Sequence, residues 1–480
     1  MRLRFAPSPT GYLHIGNART AVLNYLLARK YNAAYVLRIE DTDMERSTRR
    51  SEDSILQDLR WLGIRWDEGP DTGGENGPYR QSERFDIYKK YTDLLLEQKK
   101  AYHCYCSQEE LEAMRREASE AGRAFVYPGR CRSLDRAERA AFEAEGRRPT
   151  VRFRVPEGET VVVEDHIKGR VVFESGNIGG DFIIVRSDGV PVYNYIVIID
   201  DALMKITHVV RGEDHLPNTP KQVLIARALG LPVPEYAHLS LVLGSDRSKL
   251  SKRHGITSVE VYRKEGYLAE ALVNYLAMLG WAAESGEEIL SIDEMASQIE
   301  MGNLARSAAV FDFQKLRWMN GMYIRALDLS RAADLFIPYL AESGYDALKY
   351  DRPWLERVID AVRGNCEVLS DIARYAALFL DDIMEPDAEA VAMLKEPDSK
   401  IVVAEARRLI TDELGESNYA AELVNLIKKN TGMKGKKLFM PVRAMLTGSL
   451  HGPELDITVP LLGYARCRAR IEYAYRRFCS

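Results

Sequence analysis

The sequence predicts an α/β fold: a parallel-sheet domain, interrupted by an inserted α+β segment and followed by an all-helical region. Three observations carry this. The chain opens strand, turn, helix, strand, helix. Its pattern changes between residues 101 and 180, after which strand-like runs return. Beyond Gly255 the strands largely stop. Alternating strands and helices argue for a parallel sheet with nucleotide chemistry at the carboxyl ends of its strands. At 480 residues the chain also exceeds what one core fills, since single cores stop growing near about 250–300 residues.

Leu3-Arg4-Phe5-Ala6 reads as the first strand, broken by Pro7-Ser8-Pro9-Thr10-Gly11 because prolines cannot continue a ladder. Residues 18–31 carry Val22, Leu23, Leu26 and Leu27 at helical spacing, and 34–39 follow as a second strand. Residues 51–63 form a second helix, with Ile55, Leu56, Leu59 and Leu62 on one face and Ser51 as the expected cap. The insertion contributes a charged helix at 108–122 and short strands at 151–155 and 171–173. Strands are expected again at 182–185, 195–199 and 206–210, and amphipathic helices without an internal repeat over 256–480.

A hydrophobic fraction of 46% and a charged fraction of 29% exclude collagen-like, low-complexity and largely disordered chains. No apolar run reaches the roughly 18–20 residues a membrane helix needs, and the amino terminus lacks the apolar core of a signal peptide. Six cysteines are too sparse for a disulfide scaffold, so a reducing cytoplasm and no membrane association are expected. The net charge of −5 hides an uneven distribution. Residues 336–425 carry 19 acidic and 9 basic side chains, whereas 426–480 carry 11 basic and 3 acidic. Such asymmetry marks a candidate face for a polyanion.

Two strings bracket the sheet domain. His14-Ile15-Gly16-Asn17 lies between the first strand and its helix, where unpaired N–H groups and the positive dipole end favour phosphate. Gly16 leaves room for a purine or phosphate, and His14 offers a donor to phosphate oxygens. Lys249-Leu250-Ser251-Lys252-Arg253 follows a glycine-containing polar loop, and its lysines could neutralise a leaving pyrophosphate.

With these strings the chain resembles the class I aminoacyl-tRNA synthetases, whose hallmarks are HIGH and KMSKS, and within them the bacterial glutamyl-tRNA synthetases. Supporting stretches are Arg4-Phe5-Ala6-Pro7-Ser8-Pro9-Thr10-Gly11, Leu37-Arg38-Ile39-Glu40-Asp41-Thr42-Asp43 and Gly77-Pro78-Tyr79-Arg80-Gln81-Ser82-Glu83-Arg84. Val210-Arg211-Gly212-Glu213-Asp214-His215, Lys315-Leu316-Arg317-Trp318-Met319-Asn320-Gly321 and the 441–450 stretch extend the similarity over essentially the whole chain. Asn17 and Arg253 depart from the last letters of the two hallmarks.

The resemblance implies a Rossmann-like catalytic domain in two halves, 1–100 and 181–255, around an acceptor-stem insertion at 101–180. A stem-contact helical domain at 256–325 and an α-helical anticodon-binding region at 326–480 complete the expected organisation. ATP, with Mg²⁺, would meet Gly11, His14, Gly16, Asn17, Glu213, Lys249, Ser251 and Lys252, with His14, Lys249 and Lys252 as the catalytic candidates. L-Glutamate would meet Arg4, Ala6, Ser8, Glu40, Tyr193 and Arg211. The residue types fit: Arg4 and Arg211 suit a side-chain carboxylate, and Glu40 an ammonium.

Cys104, Cys106 and Cys131 have spacing suited to one tetrahedral, structural zinc. Many relatives complete such a site with a histidine where this chain has Ser133. By resemblance Tyr127 becomes the candidate fourth ligand, with His103 as a nearby substitute. Cys366, Cys467 and Cys479 lack matching partners and are expected to be inert.

For tRNA, Lys428, Lys429, Lys436 and Lys437 are the phosphate-contact candidates. In discriminating relatives an arginine reads the third anticodon base. Here the matching position holds Asn365, with Arg363 two residues earlier. An amide both donates and accepts, which favours an enzyme that charges tRNA(Gln) as well as tRNA(Glu). The resemblance further implies a monomer. A shorter tRNA-modifying paralogue and a non-catalytic tRNA-binding paralogue are the alternatives. The long helical region opposes the first, and the intact His14, Gly16, Lys249 and Lys252 the second.

Overall fold

A computed structural model of the chain describes residues 1–251, Gly255 and 257–479. The chain divides into two compact units, 1–264 with 269–316 and 265–268 with 317–480.

In the first unit, β1 (Arg2–Phe5) pairs in parallel with β2 (Ala34–Leu37), joined by α1 (Ile15–Lys30). The helix starts three residues earlier than its apolar spacing suggests. His14 caps it, its Nδ1 accepting from the Gly16 N–H at 3.1 Å. The next helix, α2 (Arg49–Trp61), also starts early: Thr48 is its cap, accepting from the Ser51 N–H, so Ser51 lies inside the first turn. After α3 (Phe85–Glu97) the chain enters the insertion. Its elements are β3 (Ala101–Cys104), α4 (Gln108–Glu120), α5 (Arg136–Ala144), β4 (Thr150–Phe153) and the hairpin of β5 (Thr160–Asp165) and β6 (Gly169–Glu174).

Strand pairing crosses the expected boundary at residue 180 in both directions. β7 (Ile183–Val185) is the third strand of an antiparallel sheet with β3 and β4. Conversely, β5 joins the parallel sheet, where Asp165 is in register with Tyr236 of β9 (Glu235–Leu239). Residues 195–199, read as a strand, belong instead to the helix α6 (Tyr193–Leu203). This helix buries every residue from Tyr195 to Asp201, so the run carries no amphipathic period, and β-branched residues mislead when packing decides.

β8 (His208–Gly212) pairs in parallel with β9, and α7 (Thr219–Leu229) connects them. β1 lies beside β8, with the Thr207 N–H donating to the Arg2 carbonyl. The two halves of the sheet therefore meet where β1 and β8 adjoin, the place where open α/β sheets bind ligands. Strands do not quite end at Gly255. β10 (Val242–Leu243) pairs with β11 (Ala309–Val310), beyond α8 (Val259–Glu265), α9 (Ala269–Met278) and α10 (Ile292–Gln298).

One charge in this unit is poorly compensated. Asp58 on the inner face of α2 is buried, its carboxylate has no hydrogen-bond partner among the described residues, and the Arg263 guanidinium is 3.5 Å away. Burial pushes its carboxyl up to about 6, against the pull of Arg263 and with Glu260 reinforcing the shift. A folded-state value above the ordinary one near 4 means the fold favours the protonated form. Stability is therefore lost as pH rises through about 4 to 6. Asp58→Asn is expected to raise unfolding free energy by about 2 kcal/mol at pH 8, with the gain vanishing below pH 4, as read from urea titrations.

The described part of the second unit is helical. α11 (Phe313–Ala326) leads into it, followed by α12 (Leu329–Glu342), α13 (Arg352–Arg363), α14 (Ile372–Leu380), α15 (Ala388–Leu394), α16 (Pro397–Asp412), α17 (Tyr419–Thr431), α18 (Lys436–Thr447) and α19 (Leu455–Phe478). Asp328, Asp351 and Asp387 cap α12, α13 and α15. α13 shows the packing logic, burying Leu355, Val358, Ile359 and Val362 on one face. Arg470 of α19 is buried and donates to the carbonyls of Leu378, Asp381, Asp382 and Leu446, satisfying orphan acceptors at the ends of α14 and α18. Among the described residues no helix is long and apolar enough to cross a membrane.

Candidate active site

A cavity of about 780 Å³ opens at the carboxyl ends of β1, β2, β8 and β9 and at the amino end of α1. Of the glutamate candidates it gathers Arg4, Ala6, Ser8, Glu40, Tyr193 and Arg211. Of the ATP candidates it gathers His14, Gly16, Asn17 and Lys249. Gly11, Glu213 and Ser251 are not among its lining residues. Gly11 lines a separate depression with Arg50 and Gln57, and Glu213 turns to the Lys168 ammonium and the Leu241 N–H. Lys252 lies outside the described residues.

His14 closes the start of α1 in a way that fixes its chemistry. Because Nδ1 accepts from Gly16, the neutral imidazole carries its proton on Nε2 and is a donor there. A Cβ at Gly16 would meet only His14 Nδ1, at an ordinary 3.5 Å. Packing against the described residues therefore does not demand glycine at this position. Lys249 stands at the base of its loop with Nζ 2.9 Å from Asp214 Oδ2.

Beneath the cavity lies a charge network that sequence reading missed. Arg4 forks onto Asp201 at 3.3 and 3.4 Å, and Arg38 reaches Asp201 at 2.7 Å and Glu40 at 3.1 Å. Asp200 accepts from Arg84 at 2.7 Å, Gln81 at 2.9 Å and Tyr88 at 2.8 Å. Burial pushes the Asp201 carboxyl up, but Arg4 and Arg38 outweigh it and hold the group below its ordinary value. At Glu40 burial wins over Arg38 and Arg4, and the carboxyl is raised. Arg4, Arg38 and Arg84 are thus balanced by Glu40, Asp200 and Asp201.

Arg211 is held differently. Its partners are neutral: Nε donates to His238 Nε2 at 3.2 Å, and Nη2 donates to Thr219 and Gln222 at 2.9 Å each. Its Nη1 is buried without a hydrogen-bond partner among the described residues. His238 in turn meets Asp165 Oδ2 through Nδ1 at 2.6 Å. Asp165 is anchored by the N–H groups of Ile167 and Lys168. Tyr193 OH lies 3.1 Å from His215 Nδ1, and burial together with Arg211 pulls His215 down to about 4, so it is neutral at pH 7. Neither Asp165 nor His238 carries a sequence signal for this role. The consecutive carboxylates of Asp200 and Asp201 in an apolar run were a readable sign of buried pairing.

The cysteine candidates also converge. Sulfur atoms of Cys104, Cys106 and Cys131 lie within 4.8 Å of one another. Tyr127 OH is 3.3 Å from Cys104 Sγ and 3.4 Å from Cys106 Sγ, and His103 is not part of the cluster. Arg152, also missed, places its guanidinium 3.9 Å from the Tyr127 ring centroid. Three thiols at these separations suit the size and donors of a tetrahedral zinc site, whereas the adjacent Tyr127 phenol is not one of zinc's usual donors.

In the second unit, Lys428 and Lys429 end α17 while Lys436 and Lys437 open α18, so the four share one corner. Lys437 pairs with Asp398 at 2.8 Å. At the end of α13, Asn365 is exposed, whereas Arg363 donates to the Leu327 carbonyl at 2.7 Å and pairs with Asp360.

A parallel sheet with a histidine-capped helix and Lys249 at one carboxyl-end cavity is the arrangement of a class I aminoacyl-tRNA synthetase catalytic domain. Residues 1–318 match the family described as tRNA synthetases class I (E and Q), catalytic domain, and residues 331–475 match an anticodon binding domain. The chain belongs to this glutamate and glutamine family of class I synthetases. It is 48% identical over 479 residues to the glutamate–tRNA ligase of Carboxydothermus hydrogenoformans, covering 98% of this chain and 99% of the relative. It is 48% identical over 484 residues to that of Desulforamulus reducens, covering 99% and 100%. Among solved structures, a glutamate tRNA ligase from Elizabethkingia meningosepticum in complex with its amino acid superposes with a TM-score of 0.91. That match has 33% identity over 100% of this chain and 99% of the other.

Proposed function

We propose that the chain attaches L-glutamate to tRNA(Glu) through a glutamyl-adenylate, using ATP entering as its Mg²⁺ complex, as a cytoplasmic monomer serving protein synthesis. The observation that carries this is one cavity uniting a helix amino terminus suited to phosphate with Arg4, Glu40 and Arg211. Arg211, held by neutral partners, takes the side-chain carboxylate together with Arg4, and Glu40 takes the ammonium. The α-carboxylate, near Ser8 and Tyr193, attacks the α-phosphate, and pyrophosphate leaves. His14 Nε2–H and the lysine loop, Lys249 and Lys252, stabilise the charge that develops. The ribose hydroxyl at the tRNA terminus then displaces AMP. Glutamate-dependent ATP–pyrophosphate exchange, run with and without tRNA, tests the reading. Absence of exchange with glutamate in the presence of tRNA would overturn it.

The division of labour follows the same reading. Residues 1–100 and 181–255 carry chemistry, 101–180 meets the acceptor end, 256–325 the stem, and 326–480 the anticodon. Zinc, held by Cys104, Cys106, Cys131 and Tyr127, shapes the insertion, since four protein ligands leave no open position for catalysis. Arg152 offsets the excess negative charge of such a donor set. One zinc per chain is expected by elemental analysis, together with its loss in Cys131→Ser. Well under one equivalent in the intact chain would remove the assignment.

Charging of tRNA(Gln) is the second reading. An exposed Asn365, beside an Arg363 already committed to Leu327 and Asp360, favours a reader that accepts either third base. Purified tRNA(Gln) and tRNA(Glu) charged side by side decide it. A preference for tRNA(Glu) above about a hundredfold, roughly 2.7 kcal/mol, would show discrimination.

A further inference from the structure

The turn after β5 and the first residues of β8 and β9 bring two imidazoles and a carboxylate together on the surface of the first unit. One ligand atom each from His166, His208 and Glu235 lies within 4.8 Å of the others. Glu235 Oε2 is 2.7 Å from His166 Nε2 and 3.5 Å from His208 Nε2, and the two rings stack with centroids 5.9 Å apart. A hydrogen bond accounts for the close approach of His166 to Glu235. His208 stands farther from the same oxygen, at 3.5 Å, and is held from behind.

The orientation of His208 is set from behind. Its Nδ1 lies 2.8 Å from Thr207 Oγ1. That hydroxyl has one proton, and it also accepts from the Arg2 N–H at 2.8 Å and lies 3.2 Å from the Arg2 carbonyl. All these contacts are satisfied at once when the hydroxyl donates to Arg2 and accepts from His208 Nδ1–H. With Nδ1 so engaged, Nε2 faces the Glu235 carboxylate oxygen at 3.5 Å, a separation that suits a cation bound by both. A ring N–H tied to a neighbouring oxygen while the other nitrogen faces the metal is also the usual supporting contact of a ligating histidine.

We propose that His166, His208 and Glu235 form a second metal site, distinct from the cysteine cluster, for a borderline divalent ion of the zinc type. Two imidazoles and one carboxylate suit zinc, whereas calcium and magnesium favour all-oxygen shells. Bonds of about 2.0–2.1 Å in a tetrahedron separate ligand atoms by about 3.3 Å. The 3.5 Å pair is close to that already. The 2.7 Å pair is a hydrogen bond whose single proton the metal replaces, with that proton moving to His166 Nδ1 or to solvent. Water fills the remaining position. The site sits where the inserted hairpin joins the parallel sheet: the neighbouring Asp165 and Tyr236 are the only residues in register between β5 and β9, and the His166 N–H donates to the Tyr236 carbonyl. Metal bound here clips the insertion to the catalytic sheet.

The test is a titration of the full chain with Zn²⁺ alone, followed by calorimetry and by bound metal per chain after dialysis. The intact chain is expected to take up one more equivalent at micromolar zinc than His208→Gln or Glu235→Gln. Cys106→Ser should retain this equivalent. Thr207→Val, which leaves all three ligands in place, is expected to weaken the same equivalent by about tenfold. Co²⁺ bound in a chain with Cys104, Cys106 and Cys131 all changed to Ser should give a spectrum without thiolate charge transfer. Equal zinc uptake by the intact chain and both ligand variants would overturn the site, as would uptake confined to millimolar zinc. None of these readouts depends on aminoacylation, so the site and the proposed activity stand or fall separately.

Discussion

Arg211→Ala is expected to lower kcat/KM for glutamate by two to three orders of magnitude, about 3–4 kcal/mol, while leaving the KM for ATP nearly unchanged. The reason lies in charge balance. Arg4 already forks onto Asp201, so its attraction for a substrate carboxylate is partly spent on a fixed partner. Arg211 touches His238, Thr219 and Gln222, none of them charged, and keeps Nη1 unpaired beside the cavity. It therefore carries the uncompensated positive charge that an anionic side chain needs. Arg211→Lys should recover little, because a point ammonium cannot keep both the Thr219–Gln222 contact and a second donor toward substrate. The same comparison separates the arginines: Arg4→Ala should cost less than Arg211→Ala, since the charge of Arg4 is already largely neutralised by Asp201, which keeps Arg38 as a partner in the variant. Steady-state exchange kinetics at varied glutamate and varied ATP check both points. Equal losses for the two substrates in Arg211→Ala would show a general distortion rather than a lost carboxylate contact.

Much of the fold was legible because it follows local rules. The strand broken by Pro7 and Pro9, the leucine-rich α1 and the helical second unit all announce themselves by punctuation and period. What misled was burial on all sides. α6 hides every residue from Tyr195 to Asp201, so its β-branched run looked like a strand. One cap differs for another reason: Thr48 and Ser51 are both plausible caps, and only backbone direction makes Thr48 the cap. The crossed pairing of β5 with β9 and β7 with β4 joins residues far apart in the chain, which a linear reading cannot see.

The candidate site divides in the same way. Residues in short contiguous strings, such as His14 with Gly16 or Cys104 with Cys106, could be found from spacing. The groups that hold them in place could not. Asp201 reaches Arg4 across 197 positions, and Asp165 reaches His238 across 73. Those partners are ordinary acidic and imidazole residues until the fold buries them together, where each offsets the cost of burying the other. Arg152 is likewise an unremarkable strand residue until it lies over the Tyr127 ring.

Asp165→Asn is expected to raise the KM for glutamate and lower kcat/KM by roughly tenfold to a hundredfold, although Asp165 touches no substrate. Its carboxylate does two things at once. It accepts the backbone N–H groups of Ile167 and Lys168 through Oδ1 at 2.9 and 2.8 Å, and it accepts His238 Nδ1–H through Oδ2 at 2.6 Å. That second bond keeps the proton on Nδ1, which leaves His238 Nε2 as the acceptor for the Arg211 Nε–H at 3.2 Å. An asparagine has one oxygen for these two tasks. If its oxygen faces Ile167 and Lys168, its NH₂ faces His238, and the imidazole must move its proton to Nε2. A donor then confronts the Arg211 N–H, and the guanidinium is pushed off its line. If the amide is reversed, its NH₂ confronts two backbone N–H groups and β5 shifts instead. Burial also pulls the His238 imidazole down, against the pull of Asp165, so the ring is neutral and can accept at pH 7. His238→Gln retains an oxygen that can accept from Arg211 and should keep more glutamate affinity than His238→Leu. That graded rescue, with ATP kinetics unchanged, is what positioning predicts and a general packing role does not. An Asp165→Asn enzyme with unaltered glutamate KM, or one weakened equally toward glutamate, ATP and tRNA, would show that the chain from Asp165 to Arg211 has no part in choosing the amino acid.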